Sequence, residues 1–243
     1  MSPEFLWPDW PAPANVGAAM STRIGGASAG PYASFNLGMR VGDDAAAVAS
    51  NRRALRAALK LPAEPAWLNQ VHSSRVLALP AADGGEADAS VTRGSGIVCV
   101  AMSADCLPVL LCDDAGTVVA AAHAGWRGLA AGVLEAAVRA LAVNPASLMA
   151  WMGAAIGPAA FEVGAEVRAA FVQADAAAAQ AFAPSESGRF MADLFLLARL
   201  RLRAAGVTRV YGGGLCTYCD ATRFFSHRRD AVTGRMAALI WRA

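Results

Sequence analysis

Histidine is scarce in this chain. Three in 243 residues, His72, His123 and His227, are too few for a cluster of coppers that reduces dioxygen to water, so a single mononuclear copper is the most copper chemistry the sequence can supply. Charge is also sparse and nearly balanced, at 16% charged residues and a formal net charge of +2. No basic stripe or tail results, which argues against nucleic acid as a partner. Long apolar runs are missing: the longest uncharged stretch, Ala140 to Phe161, contains Asn144, Pro145, Gly153, Gly157 and Pro158. It reads as turn, strand and loop rather than a spanning helix, so no membrane partner is expected. The first residues, Met1 to Pro11, carry neither a basic segment nor an apolar one. Secretion is therefore not expected, and the cytoplasm is the default location. Five cysteines, an odd number, fit reduced thiols better than a disulfide framework. Neither a Gly-x-Gly-x-x-Gly turn opening a helix nor a Walker-type phosphate loop occurs, which excludes a Rossmann dinucleotide site.

What is present is a chain that is 56% hydrophobic, long enough to bury a large core, with much of its apolarity in alanine. One domain spanning 1–243 is expected. The segments Val16 to Met20, Trp67 to Val71, Val76 to Leu79, Ile97 to Met102, Met149 to Met152 and Val207 to Tyr211 read as strands. Asp44 is placed to cap a helix running to about Leu59. Further helices are expected over about Leu129 to Ala142, Gly164 to Phe182 and Ala192 to Ala205, with Gly206 as a C-terminal cap. Residues 83–88 read as a loop. The strongest local signal is a hairpin: the runs Leu107 to Cys112 and Thr117 to Ala122 flank Asp113-Asp114-Ala115-Gly116. The fold class expected is mixed α/β (α+β), a layered sandwich with a mixed sheet core, this antiparallel hairpin at the site and helices outside.

A symmetric turn in that hairpin sets Cys106 directly opposite His123, with Cβ atoms about 5 Å apart. A slip of one residue destroys the pairing, because it turns every side chain to the other face. With His72 upstream, the set becomes two imidazoles and one thiolate, which leaves a fourth tetrahedral position for water or substrate. Copper with Met102 as a weak axial ligand is an alternative occupant. Asp105 precedes Cys106 and is read either as orienting the site or moving a proton, or as a strand-end cap. Arg23, Arg127, Arg228 and Arg229 lie in Gly- or aromatic-containing motifs suited to holding phosphate, or to surface salt bridges. The pair Cys216-Thr-Tyr-Cys219, with His227 beyond it, allows redox chemistry, a second zinc site or inert thiols. Cys99 and Cys112 sit in apolar runs and read as core.

The motifs Ser21-Thr-Arg-x-Gly-Gly, Ser34-Phe-Asn-Leu-Gly, Asn69-Gln-Val-His, Ala87-Asp-Ala-x-Val-Thr, Ser103-Ala-Asp-Cys-x-Pro, His123-Ala-Gly-Trp-Arg-Gly, Ile156-Gly-Pro, Phe161-Glu-Val-Gly and Phe225-Ser-His-Arg-Arg-Asp follow one another along nearly the whole chain. Together they resemble the laccase-domain family, also called multicopper polyphenol oxidase-like. The resemblance implies a single α/β sandwich related in fold to a bacterial toxin's cysteine-hydrolase domain, with zinc held by His72, Cys106 and His123. It implies phosphorolysis of adenosine, inosine or guanosine, cleavage of methylthioadenosine, and adenosine deamination, with purine nucleosides and inorganic phosphate as the partners. No obligate protein partner is indicated.

Two local departures stand out: Ala159 and Ala160 follow Gly157-Pro158 where many relatives carry cysteine, and His227 stands where relatives often have tyrosine. His227 is therefore expected to face substrate or to form a hydrogen bond rather than to bind metal. For phosphorolysis, Arg23, Asn36 and Arg228 are the candidates for phosphate or ribose contacts, with Gln70 and Asp105 near the reacting groups. For deamination, water activated at the metal would attack C6 of adenine. A copper-dependent polyphenol oxidase remains an alternative. Another is a metal-free hydrolase with Cys106 activated by His123, a reading compatible with the role in peptidoglycan-precursor correction linked to some bacterial members.

Overall fold

Three apolar segments, Leu107–Asp113, Val119–Ala124 and Leu148–Met152, are buried along their whole length. The computed structural model of the chain, which describes residues 2–81 and 85–243, places them side by side at its centre. In chain order the elements begin with β1 (Phe5–Leu6), β2 (Val16–Ser21), α1 (Ala45–Leu59), β3 (Val76–Leu79) and β4 (Ala89–Thr92). Next come β5 (Val98–Ser103), β6 (Leu107–Asp113), β7 (Val119–Ala124), α2 (Trp126–Ala130), α3 (Val133–Leu141) and β8 (Leu148–Met152). The remainder is β9 (Glu162–Val163), α4 (Ala165–Val172), β10 (Phe182–Pro184), β11 (Phe190–Ala192), α5 (Leu194–Ala204), β12 (Arg209–Gly212), α6 (His227–Asp230) and β13 (Met236–Arg242).

These elements stack as four layers. A six-stranded mixed sheet in the order β12-β8-β6-β7-β4-β3 turns Leu107, Val109 and Leu111 of β6 toward α3, α5 and their neighbours. Its other face turns Leu110 and Cys112 toward Met20, Ala101, Ala238 and Ile240 of a four-stranded antiparallel sheet, β1-β2-β13-β5. The outer face of that second sheet packs Ala19, Val100 and Leu239 against Leu55 and Leu59 of α1. Burial on both faces is why β6 to β8 read as continuous apolar runs instead of alternating ones. Truncating Leu110, fully buried between the sheets, is expected to cost about 2–5 kcal/mol. The α1 boundaries follow from local chemistry: the Asp44 side chain accepts from the Ala46 N–H, satisfying a donor the first turn leaves open. The small third sheet, β10-β11-β9, is antiparallel.

Several sequence expectations are corrected. Trp67 to Val71 forms no strand and contributes only a bridge between Asn69 and Glu86. The helix expected over Leu129 to Ala142 is two helices, because Gly132 adopts φ 89° between them, a conformation that interrupts a right-handed helix. The helix expected to reach Phe182 ends at Val172, and Asp175 caps a separate 3-10 segment, Ala176–Ala181. Residues 83 and 84 of the expected loop lie outside the described residues.

The hairpin register differs too: His123 pairs with Pro108, not Cys106, and Leu107 with Ala124. The turn is longer than expected because the Asp113 carboxylate accepts the Thr117 and Val118 N–H groups and the Thr117 hydroxyl. The displacement is two residues, so every side chain keeps its face. Among the described residues, no helix is long and apolar enough to cross a membrane.

Candidate active site

Cys106 lies one residue before β6 and His123 near the end of β7. His72 reaches them from the loop before β3, and the three donor atoms lie within 4.8 Å of one another. His72 Nε2 stands 3.7 Å from Cys106 Sγ, and the two imidazole rings meet edge-on at 4.8 Å between centroids. Tetrahedral zinc with a sulfur at about 2.3 Å and a nitrogen at about 2.0–2.1 Å separates those two atoms by about 3.6 Å. The spacing therefore fits.

Space for an ion is kept open by Gly125, which follows the hairpin. A Cβ there would lie 2.8 Å from Cys106 Sγ and 2.8 Å from His72 Cδ2, although its backbone, at φ −64°, suits any residue. Its side chain is absent for the cluster's sake, not the chain's.

One carboxylate holds the His123 ring and the His72 backbone. Asp88, 1% exposed, accepts from His123 Nδ1 at 2.9 Å and from the His72 N–H at 2.9 Å on the same oxygen. Its other oxygen takes the Val71 and Ser73 N–H groups and the Ser73 hydroxyl. Holding Nδ1 directs Nε2 of His123 into the cluster. The backbone bonds hold His72 at φ 61°, a left-handed conformation unusual for a residue other than glycine. Burial works against the Asp88 charge, yet bonds from His123 and Ser73 keep its pKa well below the usual carboxylate range.

The thiol answers to the same neighbours. Burial alone would push the Cys106 thiol up, but His123 and His72 outweigh it and bring it down to about 6. Burial would lower His123, but Cys106 and Asp88 raise it to about 9. Each of the pair thus favours the charged form of the other.

The cluster opens into a cavity of about 650 Å³, within the size range of small-molecule sites. His72 is exposed, Cys106 half-buried and His123 buried, and all three line this cavity. Its wall includes Arg40, Arg52, Arg127 and Arg235, together with Gln70, Ser103 and His227. Arg127 lies over the Trp126 ring at 4.4 Å. Arg52 stacks on Trp67 at 3.8 Å and donates twice to the Leu37 carbonyl; burial lowers it to about 10. The Ser103 hydroxyl is buried with no partner among the described residues.

Other expected contacts are not brought here. Arg23 does not line the cavity: its guanidinium donates to the Ala33 and Ala221 carbonyls and packs over Phe225. Asn36 is fully buried and braces Gly38, Asp43 and the Arg235 N–H. Gln70 does line the cavity, but its amide forms a two-bond brace with Met102. Arg228 is exposed and donates to the Glu162 carbonyl. Asp105 is buried at φ 90°, where its carboxylate accepts the Thr217 hydroxyl and the Arg228 N–H, each at 2.6 Å. It positions the strand entry that carries Cys106. His227 bonds Ala231 through Nδ1 while facing the cavity.

Sequence reasoning missed the role of Asp88 and passed over Arg40, Arg52 and Arg235. The one available signal for Asp88 was an acidic residue at the entrance of a strand neighbouring β7.

A family sequence profile described as multi-copper polyphenol oxidoreductase laccase matches residues 17–243. The chain belongs to that family. Among its relatives, purine nucleoside phosphorylase PA4543 of Pseudomonas aeruginosa is 56% identical over 98% of each chain. Purine nucleoside phosphorylase YfiH of Escherichia coli is 53% identical, also over 98% of each. The crystal structure of Neisseria meningitidis protein NMB0706 superposes with TM-score 0.93 at 51% identity, over 98% of each chain. That of YlmD from Geobacillus stearothermophilus gives TM-score 0.93 at 32% identity, covering 98% of this chain and 96% of that one. The laccase family name implies several coppers. Among the described residues, His72, Cys106 and His123 are the one group of three or more such side chains able to hold an ion.

Proposed function

We propose that the chain, as one catalytic domain over residues 1–243, is a metal-dependent purine nucleoside phosphorylase acting in the cytoplasm, with adenosine deamination as a second activity. The observation that carries this reading is the two-imidazole, one-thiolate cluster opening onto a nucleoside-sized cavity walled by arginines. Relatives named purine nucleoside phosphorylase support it. His72, Cys106 and His123 would hold the ion, and zinc suits a mixed nitrogen and sulfur set with one position open. Bound there, it would supply Lewis acidity to the departing or reacting purine.

The chain's own residues do the rest. Arg127 and Arg40, with Arg235, present guanidinium groups to a phosphate and neutralise its charge as it approaches the ribose C1′. The Trp67–Arg52 stack and the Gln70 brace hold the wall against which the purine rests. Asp88 keeps the His123 ring oriented and the His72 backbone in place. Asp105 holds Cys106 in place through Thr217 and the Arg228 backbone.

Incubating the protein with adenosine, inosine, guanosine and methylthioadenosine, with and without phosphate, tests the reading. Phosphate-dependent release of base and sugar phosphate is expected, with inosine appearing from adenosine by deamination. No free base from any nucleoside would overturn it. The imidazole beside the Cys106 thiol, with the His123 ring held by Asp88, also favours a second reading, a metal-free hydrolase with Cys106 as nucleophile. Chelator-stripped protein separates the two: lost turnover that returns on adding zinc supports the metal enzyme, and full turnover without metal supports the thiol enzyme.

A further inference from the structure

We propose that Cys216 and Cys219 form a reversible thiol–disulfide site, separate from the ion-binding cluster, that a hydroperoxide oxidises and a small thiol restores. Both cysteines are free, and their sulfurs lie 2.9 Å apart. The Asp220 N–H donates to the Cys216 carbonyl at 3.1 Å, closing a single helical turn that sets positions three apart on one side.

That turn is clamped from several directions. The Thr217 hydroxyl donates to buried Asp105, and the Thr217 N–H to the Ala155 carbonyl. Arg229 donates to the carbonyls of both Thr217 and Tyr218. The sulfurs therefore meet without a conformational search.

The two thiols are also unequal. Cys216 is half-buried, and the N–H groups of Gly157 and Cys219, each at 3.3 Å, point at its sulfur. A Cβ on Gly157 would lie 3.2 Å from that sulfur, so glycine lets the N–H approach. Burial opposes the Cys216 thiolate, but the bonds from Cys219 and from the backbone hold the thiol below its ordinary pKa. Cys219 is exposed, and its bond to Cys216 holds it above. Cys216 is thus the attacking sulfur and Cys219 the resolving one.

The chemistry closes without another group. The Cys216 thiolate attacks one peroxide oxygen, the O–O bond breaks, and the alkoxide or hydroxide leaves with a proton as alcohol or water. The resulting sulfenic acid is attacked by the Cys219 sulfur; the S–O bond breaks, and hydroxide leaves with the Cys219 proton as water. Two thiols and one hydroperoxide become one disulfide, one water and one alcohol or second water. In return, a small thiolate attacks the exposed Cys219 sulfur and Cys216 departs as the better leaving group. A second thiolate then releases the small disulfide and the Cys219 thiol.

The test uses full-length, zinc-loaded protein treated with hydrogen peroxide, then alkylated and digested with trypsin. Residues 210–223 form one peptide carrying both cysteines. Both are expected to lose alkylation together, with the peptide lighter by two hydrogens, and to regain it with dithiothreitol. Oxidation is expected at least about 10-fold faster than at Cys99 and Cys112, which are buried and inert. Cys219→Ser, at an exposed position, is expected to stall at a Cys216 sulfenic acid captured by dimedone. A peptide that remains doubly alkylated while other thiols oxidise would overturn the proposal. Equal dimedone labelling of wild type and Cys219→Ser would overturn it too, because no resolution step would then exist.

Discussion

Cys106 and Cys216 are both thiols held below their ordinary pKa, and they are built by opposite means. Around Cys106, two imidazoles favour the thiolate, and a buried carboxylate holds the ring of His123 and the backbone of His72. Around Cys216 there is no nearby imidazole among the causes of its shift, only backbone N–H groups and a second sulfur. Cys99 and Cys112, for which burial outweighs every favourable neighbour, are pushed up to about 12. A cysteine's chemistry is thus set by what surrounds it: imidazoles make a metal ligand, and a neighbouring thiol makes a redox pair.

Removing the Cys106 sulfur should have the largest effect. Cys106→Ala is expected to drop bound zinc from about one ion per chain to near none, and phosphorolysis by more than about 100-fold, beyond the cost of losing an outer partner. Metal analysis alongside base release checks this, and unchanged zinc content would dissolve the contrast between the two thiol centres. Asp88→Asn keeps the ligands but weakens their orientation, so zinc affinity should fall about 10–100-fold in a chelator competition.

Gly125→Ala is a narrower probe, because the three atoms nearest its added carbon belong to the Cys106 and His72 side chains. It should weaken zinc by about 10-fold while unfolding stability changes by less than about 1 kcal/mol; equal loss of both would show a backbone role instead. Cys219→Ser should have the smallest effect here. Zinc affinity and phosphorolysis are expected to stay within about twofold of wild type, since serine at exposed position 219 leaves the Thr217–Asp105 bond in place. A large loss would merge the two centres into one.

Much of this was visible in the linear chain, for identifiable reasons. Asp113-Asp114-Ala115-Gly116 between apolar runs announces a hairpin, and the period-two alternation of strands puts Cys106 and His123 on one face. Their register was misjudged by two residues because a side chain, Asp113, enlarges the turn by binding Thr117 and Val118. The error left the site intact, as a slip of even length preserves the face. Asp44 ahead of α1 was legible because capping is a local interaction. Arg23 was not. It sits beside paired glycines like a phosphate ligand, yet spends its donors on Ala33 and Ala221, the latter 198 residues away.

Residue type and local period, which depend on neighbours along the chain, were enough to nominate His72, Cys106 and His123 and to place two of them on a hairpin. Packing between distant segments decided the rest. It brought Asp88 to the His123 ring and the His72 backbone, turned Arg127 and Arg235 rather than Arg23 toward the cavity, and laid the Cys216–Cys219 turn against Asp105. Such contacts join residues as far apart as 112 positions; their geometry comes from how whole layers stack, and no periodicity within a single segment encodes it.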